Sequence, residues 1–119
     1  MAEEGRKGIK MTVEALVNES GLNKICMPAP EKKINGVYVG DLLSWVMSKA
    51  ESGNVWITIM SNINIVAVAT LTEASCIILA EGVLPDANAL SAAEAKGINI
   101  LSTKLSAYDA ALLISKHLK

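Results

Sequence analysis

The feature that most limits the fold is a regular alternation of two kinds of segment after residue 54. Near-continuous apolar runs lie at 55–60, 76–80 and 98–101, and segments with helical spacing follow them at 62–72, 87–96 and 106–118. Apolar runs of this length are typical of parallel strands that are buried on both faces. Strands that alternate with helices indicate an α/β layer joined by right-handed crossovers.

The first half of the chain supplies further elements of the same kind. Segments 22–26 and 34–39 are predicted strands, the second because Val37, Tyr38 and Val39 favour extended backbone. Two helices are also predicted here. Thr12 is a suitable N-cap for a short helix that ends before Gly21, and Asp41 is a suitable N-cap for a helix over 42–52.

Length and element order together predict a single domain. A chain of 119 residues has room for one hydrophobic core. Residues 1–10 are polar and charged, and we expect them to form a flexible N-terminal arm. Residues 11–119 are predicted to form one α/β domain, with a layered sheet of about five mostly parallel strands flanked by helices.

Charge and aromatic content argue against nucleic acid as a partner. The chain carries 11 Lys and Arg residues against 12 Asp and Glu residues, and only 3% of its residues are aromatic. Nucleic-acid binding needs a clustered basic face, and single-stranded substrates also need aromatic stacking platforms. Neither is available from this composition.

A membrane partner is not expected either. The most hydrophobic stretch, 55–71, is interrupted by Ser61, Asn62 and Asn64 and is shorter than the ~20 apolar residues that cross a bilayer. Residues 1–10 lack the apolar region of a signal peptide. We therefore expect a cytoplasmic protein.

The residues that usually carry catalysis or bind metals are few and scattered. His117 is the only histidine, and its place in the last turn of a predicted helix suits the helix dipole. Cys76 lies in an apolar run and is expected in the core, whereas Cys26 is expected nearer the surface. No phosphate-binding glycine motif and no paired carboxylates occur. We predict a non-enzymatic protein without a metal site or cofactor.

A candidate binding site follows from the fold rather than from a motif. Ligands of open α/β sheets bind beyond the carboxyl ends of the strands, where helix N-termini favour anions. The candidate residues in these loops are Gly40, Asp41, Ser61, Asn62, Asn64, Glu81, Gly82, Ser102, Thr103 and Lys104. They predict a pocket for a small anionic or nucleotide ligand. The alternative is that these residues only cap helices, and that Glu81 is a solvated loop charge rather than a group that binds a ribose hydroxyl or a cation.

Four segments resemble a known family: 36–44, 56–64, 77–82 and 97–103 are similar to the corresponding parts of stand-alone DRTGG domains. These domains are similar in fold to the N-terminal, non-catalytic domain of HPr kinase/phosphorylase. The Asp-Arg pair of the family signature falls at about Ser61 and Asn62. Its Thr-Gly-Gly falls at 80–82, where Gly82 retains the second glycine.

The resemblance implies a regulatory role, because DRTGG domains occur fused to CBS domains, which bind adenine nucleotides. We therefore expect a ligand-sensing module. A purely structural domain that dimerises or binds a protein partner is the alternative, and a kinase-related protein ranks third because the phosphate loop is absent. The helix over 41–52 and the helix after Asn64 are apolar on more than one face. This predicts a homodimer with one of them at its centre, unless the N-terminal segment covers that face.

Overall fold

The computed structural model describes residues 11–118, so the predicted N-terminal arm, residues 1–10, lies outside the described residues. In chain order the elements are α1 (Val13–Ser20), β1 (Asn23–Cys26), β2 (Gly36–Val39), α2 (Leu43–Lys49), β3 (Asn54–Thr58), α3 (Asn64–Thr72), β4 (Cys76–Leu79), α4 (Ala87–Lys96), β5 (Ile100–Ser102) and α5 (Ala107–Leu118). Every predicted element is present, with ends shifted by a few residues.

The five strands form one sheet in the order β1-β5-β4-β3-β2. Strands β2, β3, β4 and β5 are parallel, and β1 pairs with β5 in the antiparallel direction. This confirms the predicted class, a single α/β domain with a mostly parallel sheet. The order leaves β1 and β2 as the two edge strands.

The sheet separates two apolar layers, because alternate side chains of a strand point to opposite faces. On one face Trp56, Ile77 and Ile100 pack against helices α2, α3 and α4. On the other face Val55 and Ile78 pack against helices α1 and α5. All residues of β3 and β4 are buried, as the uninterrupted apolar runs predicted.

The predicted helix caps are confirmed at the first helix and wrong at the second. The hydroxyl of Thr12 accepts a hydrogen bond from the backbone N–H of Ala15 at 3.1 Å, and Gly21 ends α1 with a φ of 77°. Helix α2 has Leu42 at its N-cap and no side-chain cap. The Asp41 carboxylate instead accepts hydrogen bonds from Thr58 and Ile59 at the end of the neighbouring strand.

The two cysteines are both buried. Cys76 lies in the core, as predicted. The prediction for Cys26 is wrong, because this residue ends β1 facing the α4 layer and its thiol donates to the carbonyl of Ile98 at 3.7 Å. Burial raises the pKa of the Cys26 thiol, and it raises the pKa of Cys76 to about 12. Neither thiol is a reactive nucleophile in the folded state.

Candidate functional site

The carboxyl ends of the four parallel strands meet at one end of the sheet. The loops that follow them are 40–42, 59–63, 80–86 and 103–106, and we call this surface the loop edge. The structure places the predicted site residues in these loops or directly beside them. Three sets of hydrogen bonds join each loop to the next and hold the loop edge in one arrangement.

The first connection joins the loops after β2 and β3. One carboxylate oxygen of Asp41, Oδ1, accepts hydrogen bonds from the hydroxyl of Thr58 at 2.7 Å and from the backbone N–H of Ile59 at 3.1 Å. The Thr58 hydroxyl in turn accepts from the N–H of Met60 at 3.3 Å. Asp41 therefore holds the loop that follows the interior strand β3, and Asp41 itself is exposed.

The second connection joins the loops after β3 and β4. The backbone N–H of Asp86 donates to the carbonyl of Ser61 at 3.0 Å, and the Ser61 hydroxyl lies 3.5 Å from the Asp86 carboxylate. Asn62 accepts a hydrogen bond from the N–H of Asn64 at 2.9 Å, so its side chain supports the start of α3. The amide of Asn64 is exposed.

The third connection joins the loops after β4 and β5 through a tight turn. Glu81 and Gly82 both have positive φ angles, 60° and 75°, and the N–H of Val83 closes the turn by donating to the carbonyl of Ala80 at 3.1 Å. The N–H of Glu81 donates to Leu105 and that of Gly82 to Thr103, each at 2.9 Å. Glu81 itself is exposed.

The last predicted residues divide into buried and exposed groups. Ser102 and Thr103 are buried, and the hydroxyl of Thr103 accepts from the N–H of Leu105 at 3.1 Å. Lys104 is exposed. Gly40 lies under the ring of Tyr38, where a side chain would collide with the ring, and its carbonyl accepts a hydrogen bond from the indole N–H of Trp56 at 2.8 Å.

Sequence reasoning missed an apolar component of the loop edge. Each of the four loops exposes at least one large aliphatic side chain: Leu42, Ile59, Ile63, Leu84 and Leu105. A single exposed leucine carries no information, but a group on one surface usually marks a binding region. The signal was present in the sequence, because each of these residues lies within a few positions of a predicted polar site residue.

The charge of the loop edge is mixed, with more carboxylates than cations. Asp41, Glu81 and Asp86 are exposed acidic residues there, and Lys104 is the exposed cation of the same loops. A bare anion would therefore meet repulsion. A ligand with an apolar ring and hydroxyl groups would match the aliphatic side chains and the carboxylate acceptors better.

Within residues 11–118, no three His, Cys, Asp or Glu side chains lie close enough together to hold a metal ion. Among the helices described above, none has both the length and the apolar character needed to cross a bilayer.

The fold defines the class: a small α/β domain with four parallel strands, an antiparallel edge strand and four short loops at the carboxyl end of the parallel strands. The DRTGG domain family matches residues 27–117. The chain belongs to this family, as the resemblance in the sequence predicted.

A solved structure supports the same fold. The chain is similar to the CBS and DRTGG domains of the regulatory region of Clostridium perfringens pyrophosphatase, crystallised with its activator diadenosine tetraphosphate, with 17% identity and a TM-score of 0.71. The match covers 87% of this chain and 45% of that one, so the chain spans about half the length of the matched structure. The comparison with curated proteins found no match.

Proposed function

We propose that this chain is a non-enzymatic regulatory module that binds a nucleotide at the loop edge. Its family and the pyrophosphatase regulatory region, which was crystallised with a nucleotide activator, support the class of function. The observation that carries the proposal for this chain is the combination of exposed aliphatic side chains, carboxylates and one lysine on four hydrogen-bonded loops.

The residues of the loop edge suit the parts of a nucleotide in different ways. Leu84 and Leu105 offer apolar surface for a base, and the exposed carboxylate of Glu81 can accept hydrogen bonds from ribose hydroxyls. Lys104 is placed to pair with a phosphate. Gly40, Asp41, Ser61, Asn62 and Thr103 hold the loops in place, and Asn64, Gly82 and Ser102 complete the proposed site.

Binding is tested directly by isothermal titration of the full chain with diadenosine tetraphosphate, ATP and AMP. The variant Lys104→Ala should weaken binding about tenfold or more, since a charge-assisted hydrogen bond contributes roughly 1.5–3 kcal/mol. Lys96→Ala is the matched control, because Lys96 is an exposed lysine in the last turn of α4, away from the loop edge. Absence of binding by all three nucleotides, or equal weakening by both variants, contradicts the proposal.

A second candidate function is structural self-association in the cytoplasm, and α2 carries the observation that favours it. Only Val46 of this helix is fully buried, whereas Leu42 and Trp45 are both exposed and lie one turn apart. Helix α3 is less suitable as a dimer interface than its composition predicted. Four of its residues are buried in the core: Ile65, Val66, Val68 and Ala69. We propose that α2 forms the centre of a homodimer.

The kinase alternative has a simple test. A protein that binds ATP as an effector leaves it intact, whereas a kinase-related enzyme would convert ATP to ADP in the presence of magnesium and a protein acceptor. ATP turnover that survives repurification of the chain would overturn the non-enzymatic proposal.

A further inference from the structure

The amino ends of the four parallel strands carry a row of polar residues at the end of the sheet opposite the loop edge. Each strand has one such residue at its first position or directly before it: Asn35, Asn54, Ser75 and Asn99. We call these four residues the polar row. The last three are buried, whereas Asn35, beside the outer strand β2, is exposed. The polar row therefore has one end that water can reach.

Hydrogen bonds connect each member of the polar row to the next. The side-chain amide of Asn54 donates to Oδ1 of Asn35 at 3.1 Å. The backbone carbonyl of Asn54 accepts from the N–H of Ser75 at 2.9 Å and from its hydroxyl at 3.1 Å. The Ser75 carbonyl in turn accepts from the side chain of Asn99 at 3.0 Å. The polar row thus joins the amino ends of β2, β3, β4 and β5.

The side chain of Asn35 uses both of its polar atoms. Its Nδ2 donates to the carbonyl of Ser52 at 2.7 Å, and its Oδ1 accepts the hydrogen bond from Asn54. The backbone N–H of Asn35 donates to the carbonyl of Gly53 at 3.0 Å. A Cβ added at Gly53 would lie 2.7 Å from Nδ2 of Asn35, so the amide packs closely against this glycine. These contacts hold the Asn35 amide against the turn that precedes β3.

The residue that follows Asn35 makes this amide chemically distinct. Of the eight asparagines in the chain, only Asn35 precedes a glycine. A glycine nitrogen has no neighbouring Cβ to shield it, and its backbone is adaptable, so it can attack the side-chain carbon of a preceding asparagine. The Gly36 nitrogen loses its proton and bonds to Cγ of Asn35, the Cγ–Nδ2 bond breaks, and ammonia leaves with that proton. Water then opens the succinimide ring at either carbonyl, which gives aspartate or isoaspartate.

We propose that Asn35–Gly36 is a deamidation site, and that the hydrogen bonds to Ser52 and Asn54 keep the reaction slow in the folded chain. Ring closure makes Cγ tetrahedral and removes Nδ2, so the Asn35 amide must first leave both partners. The products alter the same contacts. Aspartate places a carboxylate oxygen where an N–H donated to the Ser52 carbonyl, and isoaspartate adds one atom to the backbone that leads into β2. Deamidation therefore loosens the exposed end of the polar row.

The experiment follows deamidation of the full-length chain by ion-exchange chromatography, because the reaction adds one negative charge, and peptide mapping then locates the residue. Wild type, Asn54→Ala and Ile114→Val are incubated in the folded state at mildly alkaline pH, and wild type also in guanidinium chloride. Asn54→Ala removes a donor to Asn35. Ile114→Val is the matched control, because Ile114 is fully buried in the layer formed by α1 and α5 and its truncation lowers stability without removing a partner of Asn35.

The proposal expects Asn35 of the wild type to react roughly tenfold or more faster in guanidinium chloride than in the folded state, a comparison that needs no variant. In the folded state, Asn54→Ala should accelerate the reaction about threefold or more, since one hydrogen bond is lost, and Ile114→Val should leave the rate unchanged. In guanidinium chloride, Gly36→Ala should strongly slow the reaction at Asn35.

Three results would overturn the proposal. The first is an equal rate at Asn35 in folded and denatured wild type, which would show that the contacts of Asn35 give no protection. The second is an equal effect of Asn54→Ala and Ile114→Val, which would assign the protection to global stability. The third is deamidation mainly at another asparagine in the denatured chain.

Discussion

The side chain of Asn99 forms two reciprocal hydrogen bonds with the backbone of Ala29. Its amide nitrogen donates to the Ala29 carbonyl at 2.7 Å, and its carbonyl oxygen accepts from the Ala29 N–H at 2.9 Å. The same nitrogen donates to the carbonyl of Ser75 at 3.0 Å. Asn99 is fully buried and lies just before β5. Its side chain therefore connects the start of β5 to the loop after β1 and to the residue before β4.

Replacement of Asn99 by alanine should therefore be strongly destabilising. The substitution leaves the Ala29 N–H and the Ser75 carbonyl without these partners, whereas the Ala29 carbonyl keeps its hydrogen bond from the Lys32 N–H. An unsatisfied buried polar group costs about 1–3 kcal/mol. We expect a loss of at least ~2 kcal/mol in the free energy of unfolding, measured by urea denaturation. Asn88→Ala, at an exposed position of α4, is the control and should change stability by less than ~0.5 kcal/mol. Similar effects of the two substitutions would show that the Asn99 contacts contribute little.

The turn at the loop edge predicts a stabilising substitution. Glu81 has a φ of 60°, a left-handed conformation that costs a non-glycine residue roughly 1–2 kcal/mol. Glu81→Gly should raise the midpoint of thermal unfolding by several degrees, as about 1 kcal/mol does in a domain of this size. Glu94→Gly serves as the control with opposite sign, because glycine in the middle of α4 costs about 1 kcal/mol. A fall in the midpoint for Glu81→Gly would contradict the prediction.

Burial of the Cys76 thiol predicts a loss of stability at alkaline pH. Burial raises its pKa from 9.0 to about 12, and a hydrogen bond with Ser75 and the nearby charge of Lys32 oppose the shift only in part. The folded state thus favours the neutral thiol, and this contribution is complete below pH ~9 and lost between pH ~9 and 12. Relative to Cys76→Ala, the wild type should lose roughly 1.4 kcal/mol per pH unit in this range. Urea denaturation at several pH values provides the measurement, and parallel pH profiles for the two proteins would contradict it.

The proposed dimer gives a prediction that separates two residues of one helix. Trp45 is 58% exposed and Met47 is 47% exposed, but they lie on different sides of α2 because two residues rotate a helix by about 200°. Trp45→Glu should convert the dimer to a monomer in light scattering, and Met47→Glu should leave the dimer intact. A monomeric wild type at micromolar concentration would rule out the dimer, and a dimer that survives Trp45→Glu would rule out this interface.

The sequence was sufficient to predict the parallel part of the sheet, because β3 and β4 are buried on both faces and their apolar runs are unbroken. It could not reveal that β1 runs in the opposite direction. The exposed Asn23 and Lys24 at its start reflect an edge position, and edge strands of either direction share that pattern. The error at Asp41 has a similar origin, since its partner Thr58 is 17 positions away and belongs to another strand.

For the loop edge, the position of each loop could be predicted, but the use of its side chains could not. Serine, asparagine and aspartate in a loop can bind a ligand or support the backbone, and the choice depends on contacts between loops. Ser61 is an example of a contact between loops, because its carbonyl accepts a hydrogen bond from the N–H of Asp86 in the loop after β4. Each exposed aliphatic residue of these loops can be found in the sequence. That they share one surface follows only from the order of the strands in the sheet.

Both ends of the described chain lie away from the loop edge. Met11 is hydrogen-bonded to Ile34 just before β2, and Leu118 lines the same surface pocket as Gly36 at the start of β2, so the two ends emerge from the same region of the domain. Nearby, His117 lies 3.5 Å from Glu19 and links the last helix to the first. A domain whose two ends lie close together can be inserted into a longer polypeptide, because the incoming and the outgoing chain connect to the same region of its surface. The opposite end of the sheet would keep its solvent access in any such fusion.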